Sequence, residues 1–113
     1  MEIRGLRIPD NAFVVRGGRN QVNDIRRGTD THPAGITGVS VRSAEGVPVP
    51  ELAKTIPHTR IGITTVAEVR KAGGDVVRTA GQSPYHATLT GLTPEQVSKL
   101  LTPTVSNPGR ERK

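Results

Sequence analysis

Cysteine is absent from the chain, which excludes a disulfide framework, a thiolate zinc site and a cysteine nucleophile. Tryptophan is also absent, and phenylalanine and tyrosine occur once each. That scarcity argues against base-stacking platforms built on aromatic rings. It also leaves the core to Val, Ile, Leu and Ala. No apolar run approaches a membrane span or the hydrophobic stretch of a signal peptide, so the expected partners include no membrane. The expected location is the cytoplasm, unless another system delivers the protein into a target cell. The acids are scattered and form no D-x-D pair, which disfavours a two-metal nuclease. His32, His58 and His86 form neither H-x-x-x-H nor H-E-x-x-H, so no metal site and no cofactor are expected. Gly17-Gly18 and Gly73-Gly74 lack the spacing of a phosphate-binding loop and read as turns.

What the chain does have is positive charge. Sixteen Lys and Arg stand against ten Asp and Glu in 113 residues, for a net charge of +6. Twelve of those cations are arginine, whose planar fork pairs two-point with phosphate and stacks on bases. A polyanion, RNA or DNA, is the partner this charge fits best. The length suits one domain, taken as residues 1–105, with 106–113 as a basic flexible tail that orders on a polyanion.

Ala12–Arg16 reads as a strand stopped by Gly17-Gly18, and residues 19–37 as a loop or broken helix around Val22–Arg27. Gly38–Ser43 alternates cleanly, with Val39 and Val41 toward a core and Ser40 and Arg42 toward solvent or a cleft. A short helix is expected over Pro50–Thr55. Thr65-Val66-Ala67-Glu68 fits a capping box, opening a helix that ends at Lys71-Ala72 before Gly73-Gly74. Asp75–Thr79 and Tyr85–Thr90 read as a hairpin with a five-residue loop. Thr93-Pro94-Glu95-Gln96 is a second capping box, for a helix burying Val97, Leu100 and Leu101 until Pro103. The sum is an α+β fold: a small antiparallel sheet of about four strands with two or three short helices.

Strand alternation over Tyr85–Thr90 sets His86, Thr88 and Thr90 on the polar face. An imidazole titrates near neutrality, so it can take a proton from a ribose 2′-OH and return one. Cleaving RNA without a metal needs a base for the 2′-OH, an acid for the leaving 5′-oxygen, and cations for the charge on the phosphorane. His86 is the expected base, with His58 or His32 as the acid. Arg42, Arg78, Arg16 and Arg60 are expected to hold phosphate, and Ser40, Thr88 and Thr90 to orient it. His32, before Pro33, fits an ordinary loop residue better than an acid, and His58, after Pro57 at a helix end, fits either role.

The size, the charge and this His, Arg and Thr or Ser set on a short sheet resemble the ribonuclease domains of bacterial toxin systems, the barnase, EndoU, colicin and RelE-like group. The resemblance implies an endoribonuclease acting on tRNA or ribosome-bound mRNA, and an acidic antitoxin or immunity partner over the basic cleft. A second resemblance is carried by Phe13-Val14-Val15-Arg16-Gly17-Gly18. It is similar to the strand bearing the NAD-binding arginine of ADP-ribosyltransferases, with Gly38–Ser43 where their S-T-S strand follows. Arg42 and Ser43 depart from that pattern, and Glu95, the nearest acid, lies in a helix cap. The third reading is a non-catalytic basic RNA-binding or adaptor module.

Overall fold

The computed structural model describes residues 7–31, 35–81 and 83–108. His32 lies outside them. In chain order the elements are β1 (Phe13–Gly17), α1 (Val22–Gly28), β2 (Thr29–Thr31), β3 (Thr37–Arg42), α2 (Val49–Leu52), β4 (Arg60–Thr65), α3 (Val66–Lys71), β5 (Asp75–Arg78), β6 (His86–Thr90), α4 (Pro94–Leu100) and β7 (Val105–Ser106). The class is α+β, as expected. The sheet is larger than the four strands expected: among the described residues it has seven strands, in the order β5-β6-β3-β1-β4-β7, with β2 added on β3. The strands beyond the expectation are β2, β4 and β7. The outermost, β7, pairs Arg60 with Ser106 and Ile61 with Val105, so the expected flexible tail is still in the sheet at Ser106.

Period-two alternation sorts the strand residues between two faces. Val14, Val39, Val41, Val76, Ala87 and Leu89 meet Ile25 of α1, Val66 and Val69 of α3 and Val97 of α4 in the main core. On the opposite face Val15 and Ile61 pack with Leu52 of α2 and with Ala53 and Ile56 after it, a smaller cluster. The helices therefore split, α1, α3 and α4 against one side and α2 against the other.

The helix starts follow the sequence signals. Thr65 Oγ1 accepts from Glu68 N at 3.2 Å. At α4 both halves of the box form: Thr93 Oγ1 accepts from Gln96 N at 3.2 Å, and Gln96 Oε1 from Thr93 N at 2.9 Å. Each cap satisfies amides that the first helical turn leaves without intrahelical partners. Behind α3, Arg70 Nε donates to Asp75 at 2.9 Å, Arg70 Nη1 donates to Asp10, and Arg7 Nε donates to Asp75 at 3.0 Å. Among the described residues, no helix is long and apolar enough to cross a membrane.

Candidate nucleic-acid interface

Where β1 and β3 part, a cleft of about 640 Å3 opens between the loop after α2 and the later part of α1. The two strands pair at one register position, Val15 opposite Arg42. Further along β3, the Ser40 carbonyl accepts from Arg16 Nη1 at 2.7 Å. An arginine side chain thus caps the carbonyl where the β1–β3 ladder has ended. Its walls include Arg16, Arg19, Arg27, Arg42, Ser40, His58 and His86.

His86 is placed by register. Arg42 lies directly across from it, and Ser40 from Thr88, so all four side chains share one face. His86 Nε2 lies 3.1 Å from Ser40 Oγ, and Nδ1 lies 3.0 Å from Thr79 Oγ1 and 3.3 Å from Thr79 O. Thr79 Oγ1 in turn meets Thr88 Oγ1 at 2.9 Å. With the hydrogen on Nδ1, donated to Thr79, Nε2 presents its lone pair at the Ser40 hydroxyl.

His58 reaches the cleft from the loop after α2. Its ring lies against Gly17, where an added methyl group would overlap His58 Nδ1 and Ile56 Cγ2. Glycine at 17 is what lets the imidazole lie against the strand. The loop is tied down by Asn107, which is 2% exposed and donates from Nδ2 to His58 O at 2.8 Å and Ile56 O at 3.2 Å.

The electrostatics are those of partly desolvated arginines. Burial lowers the pKa of Arg16 from its ordinary value, and the nearby Asp24 charge opposes that shift in part. Burial also lowers Arg42, whose Nη1 donates to Thr55 Oγ1. Arg16 Nε is buried and makes no hydrogen bond among the described residues. Asp24 is the acid lining the cleft, and it is paired with Arg27 at 2.7 Å. An excess of cation over anion therefore faces the opening. Among the described residues, no cluster of three His, Asp or Glu stands ready to hold a metal ion.

The structure thus brings together His86, His58, Arg16, Arg42 and Ser40 of the residues expected from sequence. Of the others, those among the described residues lie outside this set. Thr88 is fully buried, behind His86 and Thr79. Arg78 spends its donors on main chain, giving Nη2 to Ser43 O at 2.7 Å and Nη1 to His86 O at 3.0 Å, so it braces β6 from outside the cleft. Thr90 Oγ1 donates to Thr37 O, at the far end of β3. Arg60 lines a separate groove. Sequence reasoning missed Arg19, Asp24 and Arg27, which lie in a polar stretch without periodicity, and the supporting Thr79 and Asn107.

Comparison with protein-family models, with curated proteins and with solved structures found no match for this chain.

Proposed function

We propose that the protein is a metal-independent endoribonuclease of the toxin kind. The observation that carries this reading is His86 Nε2 at 3.1 Å from Ser40 Oγ, in a cleft shared with His58, Arg16 and Arg42. In this reading His86 takes the proton of a ribose 2′-OH that displaces the Ser40 hydroxyl from the ring. The 2′-oxygen attacks the adjacent phosphorus, and the bond to the 5′-oxygen breaks. His58 supplies the proton for the leaving 5′-oxygen, and Arg16 and Arg42 balance the charge on the phosphorane. The products carry a 2′,3′-cyclic phosphate and a 5′-hydroxyl. The natural partners would be RNA and an acidic antitoxin or immunity protein whose carboxylates meet the same arginines.

The test is incubation of purified protein with total and transfer RNA in the presence of a chelator, with end-group analysis of the products. Cleavage leaving cyclic phosphate, lost on His86→Ala, is the expected result. Intact RNA, or cleavage indifferent to His86→Ala, overturns the proposal. Consumption of NAD that depends on Arg16 would replace it with the transferase reading. Salt-sensitive RNA binding without cleavage would replace it with the binding-module reading.

A further inference from the structure

A second groove, of about 420 Å3, is lined by Arg19, Gln21, Arg60, Thr102, Pro103 and Thr104. Arg19 belongs to the walls of both this groove and the cleft. Arg60 adjoins the turn that bounds the cleft, since Gly18 N donates to Arg60 O at 2.8 Å. One residue, Thr59, lies between His58 of the cleft and Arg60 of the groove, so at most about 7 Å of chain joins the two.

The Arg60 guanidinium is held in advance. Nε donates to Thr104 Oγ1 at 3.2 Å, Nη1 to Ser106 Oγ at 3.5 Å, and Nη2 to Thr104 O. Those partners are hydroxyls and a carbonyl, so the side chain is fixed without losing its charge. Among the described residues no acid lines this groove, whereas Asp24 lines the cleft. A fixed, uncompensated guanidinium loses little freedom on meeting a phosphate.

We propose that this groove is a flanking-phosphate subsite. It takes, between Arg19 and Arg60, the backbone phosphate next to the one held in the cleft, so the ligand is a single RNA strand of several nucleotides. The proposal rests on the RNA reading above and adds a length requirement: a one-phosphate ligand fills the cleft alone.

The test is binding, measured by fluorescence anisotropy in a His86→Ala background, so that it does not depend on cleavage. The probes are a labelled five-nucleotide RNA and a labelled dinucleoside monophosphate. Arg60→Gln is expected to weaken the longer probe about tenfold, to reduce its log–log salt slope by about 0.7, and to leave the shorter probe within about twofold. Arg60→Lys keeps the charge but loses the Thr104 contacts, and is expected to keep the salt slope with a smaller loss of affinity. Thermal unfolding of each variant reports whether the fold is intact. Equal losses on both probes, or an unchanged salt slope in folded Arg60→Gln, overturn the subsite. Wild-type protein that binds but never cleaves refutes the nuclease and leaves the subsite standing. Wild-type protein that binds neither probe refutes both.

Discussion

Asn107 holds the loop that carries His58: its Nδ2 donates to His58 O at 2.8 Å and to Ile56 O at 3.2 Å. The Asn107 main-chain N–H adds a third tie, to Thr59 O at 2.8 Å. Asn107→Ala deletes the side-chain donor and leaves the loop carbonyls short of partners. The expected cost is about 1–3 kcal/mol in urea unfolding. If the amide acts through His58, RNA cleavage falls about tenfold in kcat with little change in KM. In a His58→Ala background the same substitution should then cost little further activity. Full additivity of the two losses would show that Asn107 is only structural.

Thr79 is the residue that orients the proposed base. Its hydroxyl stands between Thr88 Oγ1 at 2.9 Å and His86 Nδ1 at 3.0 Å. Thr79→Val keeps the shape and removes the hydroxyl, so the ring loses one of the groups that fix its tautomer. A fall of about tenfold in kcat is expected, with KM steady, and Thr88→Val should show a smaller fall. A change confined to KM would assign Thr79 to substrate binding instead.

Gly17 is expected to resist even the smallest side chain. A methyl group there overlaps His58 Nδ1 and Ile56 Cγ2, and Ile56 is part of the α2-side core. Gly17→Ala should therefore cost about 1–3 kcal/mol and lower cleavage together. Unchanged stability and activity would mean that the loop yields freely, against the three ties from Asn107.

The Arg70–Asp75–Asp10 network gives a pH prediction away from the cleft. Partial burial pushes the Asp75 carboxyl up, but hydrogen bonds from Arg70 and Val76 N and the charges of Arg70 and Arg7 outweigh it, leaving it below its ordinary 3.8. A carboxyl with a depressed folded value stabilises the fold above its unfolded value and loses that contribution as the pH falls through the folded one. The contribution should thus be intact at neutrality and fade below pH 3.8. Asp75→Asn is expected to lower stability at pH 7 by about 2 kcal/mol. It should also flatten the acid limb of the stability curve. Parallel curves for the two proteins from pH 7 to pH 2 would contradict this assignment.

Much of the architecture was legible because local signals were strong. The Thr65 and Thr93 caps and the alternation over residues 38–43 and 86–90 read directly from residue type. His86 was legible for the same reason, since one period-two stretch placed it opposite the core residues Ala87 and Leu89. Ile61 and Ile63 also alternate, yet β4 is easily overlooked beside the capping signal at Thr65. β2 and β7 have three and two residues and carry no pattern at all. Thr79 was hidden by register. A five-residue hairpin loop sets it opposite Tyr85, whereas the observed pairing of Arg78 with Ala87 lays it beside His86, whose O accepts from Thr79 N at 3.4 Å. Asn107 and Arg16 depend on long-range placement, which no local pattern encodes.

Along β3 the residues that shape the cleft and those that fill the main core take turns: Ser40 and Arg42 on one side, Val39 and Val41 on the other. A slip of one position against β6 would trade the two sets. It would drive a guanidinium into the apolar interior and strip the opening of its cation in the same step. Deletion of a single residue within this strand therefore has no mild form. The chain has no means of shifting this strand and remaining a well-folded but inert protein, so loss of the site and loss of the fold coincide there.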